Sequence, residues 1–307
     1  MSKWTVNEIP NLSGKITIVT GANSGIGFEA AKEFARKGAE TILACRSVEK
    51  GSDTEQRIRA EIPDAKLKSM VLDLSSLKSV RAFADEFNTA HSRLDVLLNN
   101  AGIMMVPYGK TEDGFERQFG TNHLGHFALT GMLIDLLLKT PNSRVVNVSS
   151  GGHRFGNLDF DNLMFEDSTA YTPMLAYGNS KLANLLFTYE MQRLLDAKKA
   201  NTIAVAAHPG ISTTNLANHL AHPLIMKLAM PLFGWMMQSA AMGALPSIRA
   251  AVDAEVSGGQ YFGPDGRKEQ KGYPIVVQSN EASQNKEDAR RLWQVSEELT
   301  GVSFLSA

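Results

Sequence analysis

The sequence predicts an α/β fold: one doubly wound domain on a mostly parallel sheet. Three observations point there. Short apolar runs with β-branched residues alternate with longer helical patterns through roughly the first two thirds of the chain. Those runs are nearly continuous in apolar residues, as at Ile16, Ile18 and Val19, which marks strands covered on both faces. A glycine-rich turn follows the first run directly and opens a helical pattern.

Taken in order, the strands are expected at Ile16–Thr20, Thr41–Cys45, Lys68–Leu72, Val96–Leu98, Val145–Ser149 and Ile203–His208. Helical patterns such as Phe28–Lys37 and Leu124–Leu138 repeat apolar side chains at steps of three and four. Right-handed crossovers make the doubly wound topology the natural outcome. No linker, repeat or low-complexity tract interrupts the pattern, so residues 1–307 read as a single domain. Segments 151–172 and 213–244 break the strand–helix rhythm, and both are expected on the substrate side of the sheet.

Composition narrows the functional classes. With 31 Lys+Arg against 32 Asp+Glu there is no basic excess for nucleic acid. The single cysteine, Cys45, excludes an internal disulfide and a multi-thiolate metal site and fits a reducing compartment, so a cytoplasmic location is expected. The N-terminus lacks the apolar run of a signal peptide or anchor. Leu224–Ala244 is apolar but interrupted by Lys227, Pro231 and Gly234, so no membrane span is expected there.

The turn Thr20-Gly21-Ala22-Asn23-Ser24-Gly25-Ile26-Gly27 has the setting of a dinucleotide-binding loop. Gly21 allows a tight exit from the strand, Gly25 a close backbone approach to a pyrophosphate, and Gly27 close packing of helix on sheet. The helix start then offers unpaired N–H groups to the phosphates. The second strand ends Ala44-Cys45-Arg46-Ser47, without the carboxylate that would bind ribose hydroxyls. Arg46 suits a 2′-phosphate instead, so NADP(H) is the expected cofactor; a solvated surface arginine is the alternative. Asp73, with Leu74 beside it, and Asn99-Asn100-Ala101-Gly102 follow the third and fourth strands, where they could flank an adenosine.

Tyr177 and Lys181 lie four apart in a helical pattern and therefore share a face. A phenol with pKa near 10 needs nearby positive charge to trade protons at neutral pH, which Lys181 and an oxidised nicotinamide together would supply. Ser150 ends a strand run and can hold a substrate carbonyl. Asn122 sits where a helix interior ordinarily avoids a short amide, and its side chain or backbone could hold a water that links Lys181 to solvent.

Together these motifs resemble the short-chain dehydrogenase/reductase family over nearly the whole chain. The match rests on TGANSGIG, Asp73, NNAG at 99–102, Asn122, Ser150, the Tyr177/Lys181 pair and Pro209-Gly210-Ile211-Ser212-Thr213-Thr214. The resemblance implies a seven-stranded Rossmann-type sheet, an Asn–Ser–Tyr–Lys tetrad, a backbone contact from Ile211 and a hydroxyl contact from Thr214 near the nicotinamide. Ala44-Cys45-Arg46-Ser47 with Lys50-Gly51, Gly125-His126-Phe127, the residues after Lys181 and the tail Arg291–Ser296 are similar to retinol dehydrogenases and the WW-domain oxidoreductase group. That branch implies NADP preference and lipophilic aldehyde, ketone or alcohol substrates. Met226, Met230, Met236, Met237 and Met242, with Phe233 and Trp235, suit an apolar lid, with core packing or a subunit contact equally open. The resemblance also implies pairing through helices, as a homodimer. The competing function is a catalytically weak NADP-binding regulator of the same fold.

Overall fold

The structure, a computed structural model, describes residues 3–211 and 238–306. Its strands are β1 (Ile16–Thr20), β2 (Glu40–Cys45), β3 (Leu67–Val71), β4 (Val96–Asn99), β5 (Arg144–Val148), β6 (Ile203–Ala207), β7 (Tyr261–Pro264) and β8 (Pro274–Val276). They form one sheet in the order β3-β2-β1-β4-β5-β6-β7-β8. Each of the six strands expected from sequence lies within one residue of its expected ends. The order reverses at β1, between β2 and β4, and opens a crevice at the carboxyl ends of the strands.

The sheet has eight strands rather than the seven that the resemblance implies. All neighbours pair parallel except β7 with β8, where Phe262 faces Val276 and Pro264 faces Pro274 in antiparallel register. An antiparallel return needs no helical crossover, so a short loop suffices. Only three residues long and bounded by proline, β8 carries no periodic signal of its own.

Seven helices are used below: α1 (Gly25–Arg36), α2 (Val48–Glu61), α3 (Leu77–Ala90), α4 (Gly125–Lys139), α5 (Pro173–Ala197), α6 (Ala240–Val252) and α7 (Lys286–Thr300). One sheet face packs Phe28 and Phe34 of α1 with Leu245 and Ile248 of α6. The other packs Phe83 and Phe87 of α3 with Phe127 of α4, Phe187 of α5 and Trp293 of α7. The Trp293 ring lies 5.2 Å from that of Phe127, 5.7 Å from that of Phe187 and 4.7 Å from that of Phe304 in the C-terminal tail. Among the described residues no helix is long and apolar enough to cross a membrane.

Two features fix the height of the site above the sheet. Asn99 donates to Asn147 at 2.8 Å and to Thr130 at 3.0 Å, and Asn147 donates to Thr188 at 3.0 Å, so buried amides tie β4 and β5 to α4 and α5. Ahead of α4, a helical turn at Arg117–Phe119 passes into a π-turn at Gly120–Leu124. That turn widens the backbone at Asn122, a common device at functional sites. Helix α5 starts at Pro173 with Thr172 as N-cap, its hydroxyl accepting the Leu175 N–H. It is buried on every side from Ala176 to Met191, so it lacks the one-sided pattern of a surface helix.

Segment 151–172 packs rather than dangling: Leu163 is buried with Phe115, Phe119 and Leu182, and Leu158 and Phe160 lean on the same cluster. Of segment 213–244, only 238–244 falls within the described residues, where Ser239 caps α6. Thr214 and the stretch carrying Met226, Met230, Met236 and Met237 lie outside them, whereas Met242 packs against the core formed with α1.

Candidate active site

A cavity of about 770 Å³ lies at the crevice beside β1. It runs from Arg46 and Lys50, past Gly21–Gly27, Asp73 and Asn100–Gly102, to Tyr177, Lys181 and Pro209. Gly21 and Gly25 take left-handed φ of 66° and 58°, which turn the chain from β1 into α1. A Cβ on Gly27 would stand 2.4 Å from the Gly21 carbonyl oxygen and 2.5 Å from the Asn100 amide, so only glycine fits. Ser24 is the N-cap of α1 but its side chain makes no capping bond, which leaves the first-turn N–H groups open to an anion. This cradle fits a dinucleotide phosphate.

The strand-end residues divide between lining and bracing. Asn100 lines the cavity while its amide donates to the Thr20 carbonyl at 2.7 Å, bracing the turn. Asn99 faces the core instead of the cavity and belongs to the buried amide ladder. Asp73 accepts from the Ser75 N–H and hydroxyl at 2.9 and 2.6 Å, which sets its carboxylate at the cavity wall beside Leu74. Arg46 and Lys50 line the same end.

At the opposite end stand Tyr177 and Lys181, one turn apart on α5 and each nearly buried. The ammonium lies 5.8 Å from the centre of the phenol ring and donates to the Val148 carbonyl at 3.0 Å. Burial brings its pKa down to about 8. The phenol is pushed above its usual value by burial, and the Ser150 hydroxyl bonded to it pulls the other way. With burial dominant, the phenol of the cofactor-free chain holds its proton.

Ser150 launches a 3-10 turn at Gly151–Phe155 and its hydroxyl accepts the Gly152 N–H at 3.1 Å. A Cβ on Gly178 would stand 2.9 Å from the Gly156 nitrogen and 3.1 Å from the Gly152 carbonyl, so α5 and this turn approach as closely as backbones can. The Asn122 side chain is fully engaged, accepting from the Ile103 N–H at 2.8 Å and donating to the Ile103 carbonyl and the Ser180 hydroxyl at 2.9 Å. It splices the segment after Gly102 to α5, so the side chain is not free to hold a water. Gly210 has φ of 64°. The Ile211 N–H is held by the Gln270 carbonyl at 2.7 Å and its carbonyl by the Gln238 N–H at 2.9 Å.

His126, which the sequence marks only through the Gly125-His126-Phe127 resemblance, joins the two halves of the site. Its Nδ1 lies 3.0 Å from the Asn122 carbonyl and its Nε2 2.9 Å from the Thr20 hydroxyl. The Asn122 carbonyl can only accept, so Nδ1 carries the ring proton and Nε2 faces the Thr20 hydroxyl as acceptor; that hydroxyl also reaches the Leu98 carbonyl at 3.3 Å. The ring is therefore neutral with the proton on Nδ1, and burial holds its pKa down to about 4. A histidine buried on a helix carries no sequence signal that separates this bridge from core packing.

The family described as short chain dehydrogenase matches residues 15–161. Retinol dehydrogenase 12 of Mus musculus is 42% identical over 296 residues, covering 95% of this chain and 88% of that protein. Retinol dehydrogenase 11 of Homo sapiens is 42% identical over 304 residues, covering 98% and 91%. The crystal structure of an uncharacterized protein from Mycobacterium paratuberculosis superposes with a TM-score of 0.82 at 40% identity, covering 99% of both chains. Similarity of this extent, on a single Rossmann-type domain, means that the chain belongs to the short-chain dehydrogenase/reductase family, in its retinol dehydrogenase-like branch, and is an oxidoreductase acting on CH–OH donors.

Proposed function

We propose that this chain is an NADP(H)-dependent oxidoreductase for lipophilic aldehydes, ketones or alcohols. One observation carries the reading: Tyr177 with its Ser150 partner and Lys181 lie at one end of a cavity whose other end presents Arg46 and Lys50. Gly21, Asn23, Ser24, Gly25, Ile26 and Gly27 would hold the pyrophosphate, and Arg46 a 2′-phosphate. Asp73, Leu74, Asn100, Ala101 and Gly102 would flank the adenosine, and Pro209, Gly210 and Ile211 the nicotinamide end. The nicotinamide, when bound, supplies or accepts the hydride.

The protein's own part is proton transfer and charge. Ser150 orients the substrate oxygen beside the phenol, and Tyr177, protonated at neutral pH, donates its proton to the oxygen as negative charge grows there. Lys181, one helical turn away with its ammonium 5.8 Å from the ring centre, stabilises the phenolate left behind. The apolar substrate class is supported by Ile103, Met104 and Val106, which line the same cavity as Tyr177 and Lys181. A buried, lone Cys45 accords with a reducing compartment such as the cytoplasm.

The test is NADPH oxidation followed by absorbance with long-chain aldehydes and small acidic carbonyls. Long-chain aldehydes should be turned over preferentially, and Tyr177→Phe should lower kcat by about 1,000-fold. A rate that does not depend on Tyr177, as for a regulator that kept only cofactor binding, would overturn the proposal. So would a preference for acidic carbonyls.

A further inference from the structure

The geometry points to Glu269 as a positioning residue that clamps together the two loops flanking the reacting end of the cavity, the turn after Ser150 and the bend at Pro209–Ile211. The inference rests on the proposed reading of the site as a hydride-transfer centre. Glu269 lies in the loop between β7 and β8 and is not one of the residues that line the cavity.

Its carboxylate reaches in two directions. Nη2 of Arg154 donates to both oxygens, at 3.2 and 3.1 Å, and Arg154 sits in the turn launched by Ser150. Within that turn the His153 Nδ1 bonds the Ser150 carbonyl at 2.6 Å, so the turn moves as a unit with Ser150. Toward the other loop, Nε2 of the buried His208 lies 3.0 Å from a Glu269 oxygen. The Nδ1 of that ring accepts the Gly210 N–H at 3.3 Å, so its proton is on Nε2 and donates to Glu269. The neighbouring Gln270 carbonyl takes the Ile211 N–H at 2.7 Å.

An exposed ion pair by itself contributes little, and two further features set this one apart. Lys268 and Glu269 both stand in left-handed conformation, with φ of 53° and 56°, although neither is glycine. Such consecutive strain persists only where surrounding contacts hold it, and it aims the carboxylate at His208 and Arg154 together. The second feature is Gly263 of β7: a Cβ there would stand 2.1 Å from the His208 Nε2, so the strand leaves room for this ring in this place.

The test compares wild type with Glu269→Ala, Glu269→Gln, Arg154→Ala and the Arg154→Ala/Glu269→Ala double variant. Hydrogen exchange in the NADPH-bound protein is read on residues 151–156 and 209–211. Glu269→Ala should speed exchange in both loops, Arg154→Ala in the first alone. Glu269→Ala should lower kcat for aldehyde reduction about 10- to 100-fold, with Glu269→Gln between it and wild type and the NADPH Kd within about threefold of wild type. Because Arg154 acts through Glu269, the double variant should fall short of the product of the single losses. Faster exchange confined to 265–272, or independent multiplication of the two losses, would overturn the clamp. Exchange is read without turnover, so a wild type inactive on every aldehyde would count against the proposed reaction and leave the clamp decided by exchange. Should Glu269→Ala not fold, Glu269→Gln with the same two readouts decides it.

Discussion

Lys181 shows how function and stability oppose each other at one side chain. Its pKa in the fold is about 8, against about 10.4 in an unfolded chain. The unfolded chain therefore binds the proton more tightly, and burying the charge destabilises the fold by about 3 kcal/mol below pH 8. That penalty fades as pH rises from 8 toward 10.4. Replacing Lys181 by Met removes it and leaves the Val148 carbonyl bonded to Asn184 at 3.1 Å. Net of one lost hydrogen bond, Lys181→Met should stabilise the cofactor-free protein by about 2 kcal/mol. Calorimetry at pH 7 should show Tm higher by about 4 °C while reductase activity disappears. An unchanged or lower Tm would refute the account. The chemistry of Tyr177 and Lys181 was legible because a helical turn converts sequence spacing directly into proximity. Glu269, His208 and Arg154 were not, since residues this far apart meet only through the sheet order.

At the scale of elements, the decisive contact is α5 against the turn after Ser150. Gly178 and Gly156 meet there backbone to backbone. A methyl group at Gly178 has no flexible side chain to displace, so Gly178→Ala should force the two apart. The expected result is a loss of about 1–3 kcal/mol in stability by denaturant titration. Because Ser150 and Tyr177 ride on the two separated elements, kcat should also fall by about 10- to 100-fold. An active, fully stable variant would show that the approach is not required. Strand ends and the glycine turn could be read from sequence because β1, β2 and β4–β6 are largely apolar and buried along their length. The π-turn at Asn122 could be suspected but not described: an awkward amide signals irregular backbone without saying which kind. Strand β8 left no trace, being too short for any period.

For the whole molecule, the reversal of strand order at β1 gathers the ends of β1, β2, β4, β5 and β6 around a single crevice, while the two core layers lie on either side of the sheet. Cofactor binding thus bridges segments from Gly21 to Pro209 and should stabilise the native state as one unit. At 100 times its Kd, NADPH adds about 2.7 kcal/mol, which should raise Tm by about 5–8 °C. NADH at equal concentration should raise it less, and Arg46→Ala should narrow that difference. Equal shifts for the two dinucleotides in wild type would remove the case for a 2′-phosphate site.

The aromatic wall behind Asn122 has an optical consequence. Trp293 touches Phe304 near the chain's end, and Ser296 on the same helix lies 2.9 Å from the His123 ring in the π-turn. Indole emission responds to the polarity around the ring, so detachment of the C-terminal tail would admit water beside this fluorophore and red-shift its light. With Trp4 and Trp235 replaced by Phe, so that Trp293 is the one emitter, seating of the last residues can be watched by intrinsic fluorescence.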